Sequence, residues 1–223
     1  MQDVKLIEVK QDILTQNKEL AEELRNDLTR EKTFLLNLMS SPGAGKTSLI
    51  QKTIEQLQTH FKTGIIEADI DSMVDSEKIA SLGTSAIQLR TGGFCHLDAS
   101  MLKQALQDLQ FAAFDLIIVE NIGNLVCPAE FDIGAIKNAM ILSVPEGDDK
   151  PLKYPAMFKI SDVVLVNKID YMQLTDFDTL TLKDRIASLN SRAPVIELSC
   201  RTEQGLQDWI IWLKKEINEF IQS

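Results

Sequence analysis

The stretch Phe34-Leu-Leu-Asn-Leu-Met-Ser-Ser-Pro-Gly-Ala-Gly-Lys-Thr47 is an apolar run that breaks into a Gly-containing loop, and residues 47–57 then continue with helical periodicity. Strand, loop and helix in that order are what a phosphate-binding P-loop requires. Gly43 and Gly45 would let the backbone approach phosphate oxygens, while the helix start would offer amide donors and the positive end of its dipole. Ser41, Pro42, Ala44 and Ser48 complete the predicted nucleotide cradle. Lys46 would neutralise β- and γ-phosphate charge, and Thr47 would give its hydroxyl to a bridging Mg²⁺. Ser40 occupies the place of the motif's usual first glycine, which costs backbone freedom at the loop entrance and leaves Gly-Lys-Thr intact.

Outward from this loop, short apolar runs rich in β-branched residues recur at 64–68, 85–89, 115–120, 139–144, 162–167 and 194–199, and with 34–39 they read as buried strands. Helical patterns at 97–109, 178–189 and 204–221 alternate with them. The alternation predicts an α/β fold, a doubly wound, mostly parallel sheet of the P-loop NTPase type. Residues 3–30 carry Val9, Ile13, Leu20, Leu24 and Leu28 amid many charges, which predicts an N-terminal helical arm (1–31) whose apolar stripe needs cover, ahead of a P-loop GTPase domain (32–223). The 223 residues suffice for one sizeable domain.

A net charge of -10 disfavours a nucleic-acid partner. No apolar run approaches the ~20 residues that cross a bilayer, and the first ten residues do not read as a secretory signal, so a cytoplasmic protein without membrane contact is expected. Three cysteines, Cys95, Cys127 and Cys200, are too few and scattered for a disulfide framework and must be judged singly.

Val163-Val-Leu-Val166 leads into Asn167-Lys168-Ile169-Asp170 at the carboxyl edge of a predicted strand, where doubly wound sheets bind ligands. Asp170 can accept both the N1 hydrogen and the exocyclic amine hydrogen of guanine, a donor pair that adenine lacks. Lys168 would lie along the ring, Asn167 would tie the loops together, and Ser199 would form the remaining wall. Cys200 reads as a small residue beside the base. For Mg²⁺ the candidate acids are Asp69, Asp75 and Glu120. Glu120 begins Glu-Asn-Ile-Gly123, a segment like Asp-x-x-Gly whose Gly123 would sense the γ-phosphate. Lys46, Thr47, Glu120 and Gly123 are thus the predicted catalytic set. Asn124 stands where many small GTPases place a water-orienting glutamine, so hydrolysis should be slow.

Cys95-His96 supplies a thiolate and an imidazole and Cys127 a second thiolate, a set suited to Ni²⁺ or Zn²⁺. On composition alone, buried structural cysteines and a satisfied histidine explain the same residues. With Thr91-Gly-Gly-Phe-Cys-His-Leu-Asp-Ala99, Glu120-Asn-Ile-Gly-Asn-Leu-Val-Cys-Pro-Ala129 and Glu146-Gly-Asp-Asp-Lys-Pro-Leu-Lys-Tyr-Pro155, the chain resembles the HypB-type hydrogenase-maturation GTPases almost end to end. The resemblance implies a GTP/GDP- and Mg²⁺-dependent metallochaperone that delivers nickel, with Cys95, His96 and Cys127 as metal ligands. It further implies a nucleotide- or metal-dependent homodimer in which Lys153 reaches the partner's nucleotide. Implied partners are another nickel-maturation factor and a hydrogenase large-subunit precursor. A nickel GTPase for urease and a passive metal-buffering protein are the rival readings.

Overall fold

The computed structural model of the chain describes residues 9–69 and 84–223. Among them run α1 (Val9–Glu31), β1 (Phe34–Ser40), α2 (Lys46–Leu57), β2 (Thr63–Asp69), β3 (Ser85–Arg90), α3 (Ala99–Leu109), β4 (Leu116–Glu120), β5 (Lys137–Ser143), β6 (Val163–Asn167), α4 (Thr179–Leu189), β7 (Val195–Glu197) and α5 (Leu206–Gln222). Short helical turns at Cys127–Glu130, Lys150–Lys153 and Pro155–Ile160 lie on the connections. Every expected strand is present, with ends displaced by one or two residues, as fraying of pairing at strand ends produces.

The seven strands form one sheet in the order β3-β2-β4-β1-β5-β6-β7, and every pairing is parallel. β1 is central because it is apolar on both faces: all seven of its residues are buried. From β1 the chain moves out to β2 and β3 on one side, returns as β4, and then crosses to β5, β6 and β7 on the other. The carboxyl ends flanking β1 are therefore the switch point where such sheets bind ligands.

Side-chain alternation distributes β1 between two layers. Phe34, Leu36 and Leu38 pack with Leu49, Ile50, Ile54 and Leu57 of α2 and with Leu206, Trp209, Ile210, Leu213 and Ile217 of α5. Trp209 Nε1 donates to Thr53 Oγ1 at 2.9 Å, giving the buried indole its polar partner and joining α2 to α5. On the opposite face Leu35 joins α1 and α3, whereas Met39 joins Met157, Phe158, Leu182 and Ile186. Between those clusters Asn37 receives a hydrogen bond from Asn121 Nδ2 (3.0 Å) and donates to Asn138 Oδ1 (2.9 Å), so this buried amide is satisfied within the sheet.

The helical arm lies against this second face. Ala21, Leu24 and Leu28 are buried, one helical stripe in register with α3 and the sheet. A Cβ on Gly134 would lie 2.7 Å from the Ala21 carbonyl oxygen, so the backbones approach closely there. The expected stripe is shorter than its sequence suggests: Ile13 is 51% exposed, and full burial begins at Asn17.

Candidate functional site

The phosphate loop descends from the end of β1. Gly43 and Gly45 have φ of 76° and 106°, the left-handed region that glycine enters without Cβ strain. No side chain caps the start of α2 among the described residues, which leaves its first amides facing the cavity for an anion. Lys46 is buried and its Nζ donates to Ser40 Oγ at 3.1 Å, so the serine in place of glycine acts as a rest for the lysine. A cavity of about 590 Å³ opens here, lined by Pro42, Gly43, Lys46, Thr47, Glu120 and Gly123 among others. Ser41 and Ala44 belong to the loop without lining the cavity: Ser41 Oγ donates to Glu146, and the Ala44 carbonyl accepts from Asn167 Nδ2 at 2.9 Å.

Thr47 Oγ1 donates to Glu120 Oε1 at 2.9 Å, bringing the hydroxyl of the loop to the acid that ends β4. Glu67 of β2 is buried, stands in register with Glu120 and lines the same cavity. Two buried carboxylates and a hydroxyl facing one space are a donor set for a hard divalent cation, so the residues present fit Mg²⁺. Sequence reading missed Glu67, although an acid inside the apolar run 64–68 is a visible signal. Asp69 ends β2 in register with Arg90, and Asp75 lies outside the described residues.

A second, contiguous cavity of about 220 Å³ is lined by Gly45, Ser48, Asn167, Lys168, Asp170, Tyr171, Ser199, Cys200 and Arg201. Lys168 holds φ 61° because Asn167 Oδ1 accepts its amide (2.7 Å) while its Nζ donates to the Gly43 carbonyl (2.7 Å). A Cβ on Gly45 would lie 2.3 Å from Asn167 Nδ2, so the phosphate and base loops touch. Ser199 Oγ donates to Asp170 Oδ1 at 2.7 Å, whereas Asp170 Oδ2 is buried and accepts no hydrogen bond among the described residues. Arg201 approaches that oxygen only to 3.7 Å. A buried carboxylate oxygen with spare acceptor capacity, facing a cavity, suits a ligand's N–H groups. Burial pushes the Cys200 thiol up to about 11, so it is a protonated wall of this cavity.

The cluster of Cys95, His96 and Cys127 assembles as well: one ligand atom from each lies within 4.8 Å of the others. The sulfurs of Cys95 and Cys127 are 2.8 Å apart, and His96 Nδ1 is 3.9 Å from Cys95 Sγ. The hydrogen bond with Cys127, then burial, holds the Cys95 thiol above the ordinary thiol range. Burial lowers the His96 pKa despite Asp98 and Glu130 nearby, which favours the neutral form that can ligate. Its ring stacks on Phe131 at 3.7 Å between centroids. Two sulfurs and an imidazole nitrogen are a borderline-soft donor set.

One connection joins this cluster to the nucleotide cavity. A Cβ on Gly123 would sit 3.0 Å from Pro42, so Gly123 rests on the phosphate loop. Asn124 Nδ2 donates to the Cys95 carbonyl (3.1 Å) and its Oδ1 accepts the Val126 amide (2.9 Å), one residue before Cys127. Lys153 lines neither cavity; it is exposed and pairs with Asp149 at 2.5 Å.

Residues 34–197 match the family profile described as CobW/HypB/UreG, nucleotide-binding domain. The chain is 42% identical over 212 residues to the hydrogenase maturation factor HypB of Azotobacter chroococcum mcd 1, covering 95% of this chain and 70% of that relative. It is 37% identical over 225 residues to the hydrogenase/urease maturation factor HypB of Helicobacter pylori (strain ATCC 700392 / 26695), covering 99% of this chain and 91% of that relative. Among solved structures, HypB from Helicobacter pylori in complex with nickel is similar with a TM-score of 0.86 at 36% identity, over 93% of this chain and 98% of that one.

Proposed function

Since the chain belongs to the CobW/HypB/UreG family, we propose that it is a GTP-binding and GTP-hydrolysing metallochaperone that inserts nickel into a hydrogenase precursor. The observation that carries the reading is a connection that serves both sites: Gly123 rests on Pro42, Asn124 holds Cys95, and Cys127 follows three residues later. Asp170 selects guanine through its buried acceptor oxygen, Lys46 and the open amides of α2 hold the phosphates, and Ser199 fixes Asp170. Thr47, Glu120 and Glu67 would hold Mg²⁺, which when bound neutralises phosphate charge. Asn124 is engaged with the metal loop instead of orienting water, so hydrolysis is slow and times release of the cargo.

Nickel is that cargo, and Zn²⁺ fits the same donors. Three protein ligands leave the coordination incomplete, which suits transfer better than permanent binding. The protein works in the cytoplasm with a second nickel-maturation factor, as a homodimer in which Lys153 reaches the partner's nucleotide. Service to urease is the second reading, favoured by the similarity to the hydrogenase/urease maturation factor HypB of Helicobacter pylori. The test is titration with Ni²⁺ and Zn²⁺ in the presence of GDP or a non-hydrolysable GTP analogue, alongside GTP turnover. Turnover above that of Lys46→Ala, with metal affinity lost in Cys95→Ala, is the expected result. Turnover equal to that of Lys46→Ala would leave only a passive metal buffer.

A further inference from the structure

We infer that Asn17 of α1 is a positioning residue of the nickel site: one side chain clamps together the two loops that carry its ligands. Asn17 is buried on the same helical stripe as Ala21, Leu24 and Leu28. Its Oδ1 accepts the amide of Ala99 at 2.8 Å, and its Nδ2 donates to the carbonyl of Asp132 at 2.7 Å. Ala99 opens α3 three residues after His96, and Asp132 follows the turn Cys127–Glu130 and Phe131.

The choice of these two backbone groups is what makes the contact informative. At the start of α3, the Asp98 side chain already accepts from Met101 at 2.8 Å. The Ala99 amide is one of the orphan donors of a helix start, and the arm supplies its acceptor. On the other loop, Arg25 of the same helix donates to both carboxylate oxygens of Asp132 (2.8 and 2.6 Å) and to the Ala135 carbonyl, so Asp132 is fixed from the arm by side chain and backbone together. The two loops also meet directly through the His96–Phe131 stack. Asn17 therefore braces both sides of that stack, and the distance between Cys95 and Cys127 depends on a helix that contributes no ligand.

The inference rests on reading Cys95, His96 and Cys127 as the nickel ligands. Groups behind metal ligands are worth about 10- to 100-fold in affinity when removed, and Asn17→Ala is expected to weaken Ni²⁺ binding by that factor with GDP affinity unchanged. Nickel-thiolate absorption should change shape as the Cys127 contribution falls. Leu28→Ala is the control: it undermines the same helix through a core cavity, and should lower the melting temperature while moving Ni²⁺ affinity by no more than about twofold. Asn17→Asp keeps an acceptor for Ala99 but sets a buried carboxylate oxygen against the Asp132 carbonyl, so it should weaken Ni²⁺ binding at least as much as Asn17→Ala; Asn17→Ser, small and uncharged, serves if the alanine variant fails to fold. Unchanged Ni²⁺ affinity in a folded Asn17 variant, or an equal loss in Leu28→Ala, overturns the brace. Cys95→Ala separates the two ideas: if it too leaves Ni²⁺ affinity unchanged, the ligand assignment falls and the brace with it. Loss in Cys95→Ala with none in Asn17→Ala refutes the brace alone.

Discussion

Replacing Asp170 by asparagine should turn a guanine site into a xanthine site, and the structure sets both the direction and the size of the change. In the native chain Ser199 Oγ donates to Oδ1, which leaves Oδ2 buried with acceptor capacity toward the cavity. An asparagine would keep its own oxygen toward Ser199, so its amide nitrogen would take the place of Oδ2. That nitrogen donates where guanine also donates, and it meets a carbonyl in xanthine. Hydrogen bonds to charged groups are worth about 1.5–3 kcal/mol each, so losing two of them amounts to about 3–6 kcal/mol. This corresponds to roughly 10²- to 10⁴-fold weaker GTP binding. Arg201 is too exposed, at 77%, and too distant, at 3.7 Å, to supply a compensating interaction of that size. The assay is competition of GTP and XTP against a fluorescent guanine nucleotide for wild type and Asp170→Asn. An unchanged GTP to XTP ratio would refute the placement of the base beside Asp170.

GTP turnover should be slow, well below the typical enzyme value of about 10 s⁻¹, because Asn124 is committed to Cys95 and Val126; a single-turnover measurement near that value would contradict this. Ni²⁺ affinity should rise with pH between about 6 and 9, because each thiol must release a proton on binding and Cys95 holds its proton above the ordinary thiol range. A flat profile would argue against thiolate ligation. Ni²⁺ affinity should also differ between GDP and a non-hydrolysable GTP analogue by about 5- to 150-fold, since Gly123 rests on Pro42 and Asn124 on Cys95. Equal affinities in the two states would sink the coupling.

The parts of the fold that were legible in sequence are those whose signal is local. β1 reads as a buried strand because its neighbours on both faces are apolar, and the same holds for 116–120 and 163–167. The phosphate and base motifs were found because each places its polar residues at a strand end, and the cysteines because only three occur in this chain. What escaped were partnerships across the chain. Asn17 looks like any polar residue on a charged helix, and only a bond spanning 115 residues reveals its work. Asn37 and Asn121 stand 84 residues apart and read singly as interruptions of apolar runs. Glu67 was passed over for Asp69 because acids at strand ends attract attention, while register places Glu67 beside Glu120. Ile13 failed the other way: its helical phase is correct, yet the body of the protein does not reach it.

The contact between Gly45 and Asn167 bears on how such a chain can change over generations. Any side chain at position 45 would strike the amide that ties Asn167 to Ala44, and a bulkier residue at 167 would strike the loop from the other side. A side chain at 45, or a larger residue at 167, would disturb phosphate and base binding at once. The two motifs are 122 positions apart, but they are inherited as one unit. Drift in base preference is therefore expected to enter through Asp170, Ser199 and Arg201 on the outer wall of the cavity, where a change leaves the phosphate loop untouched.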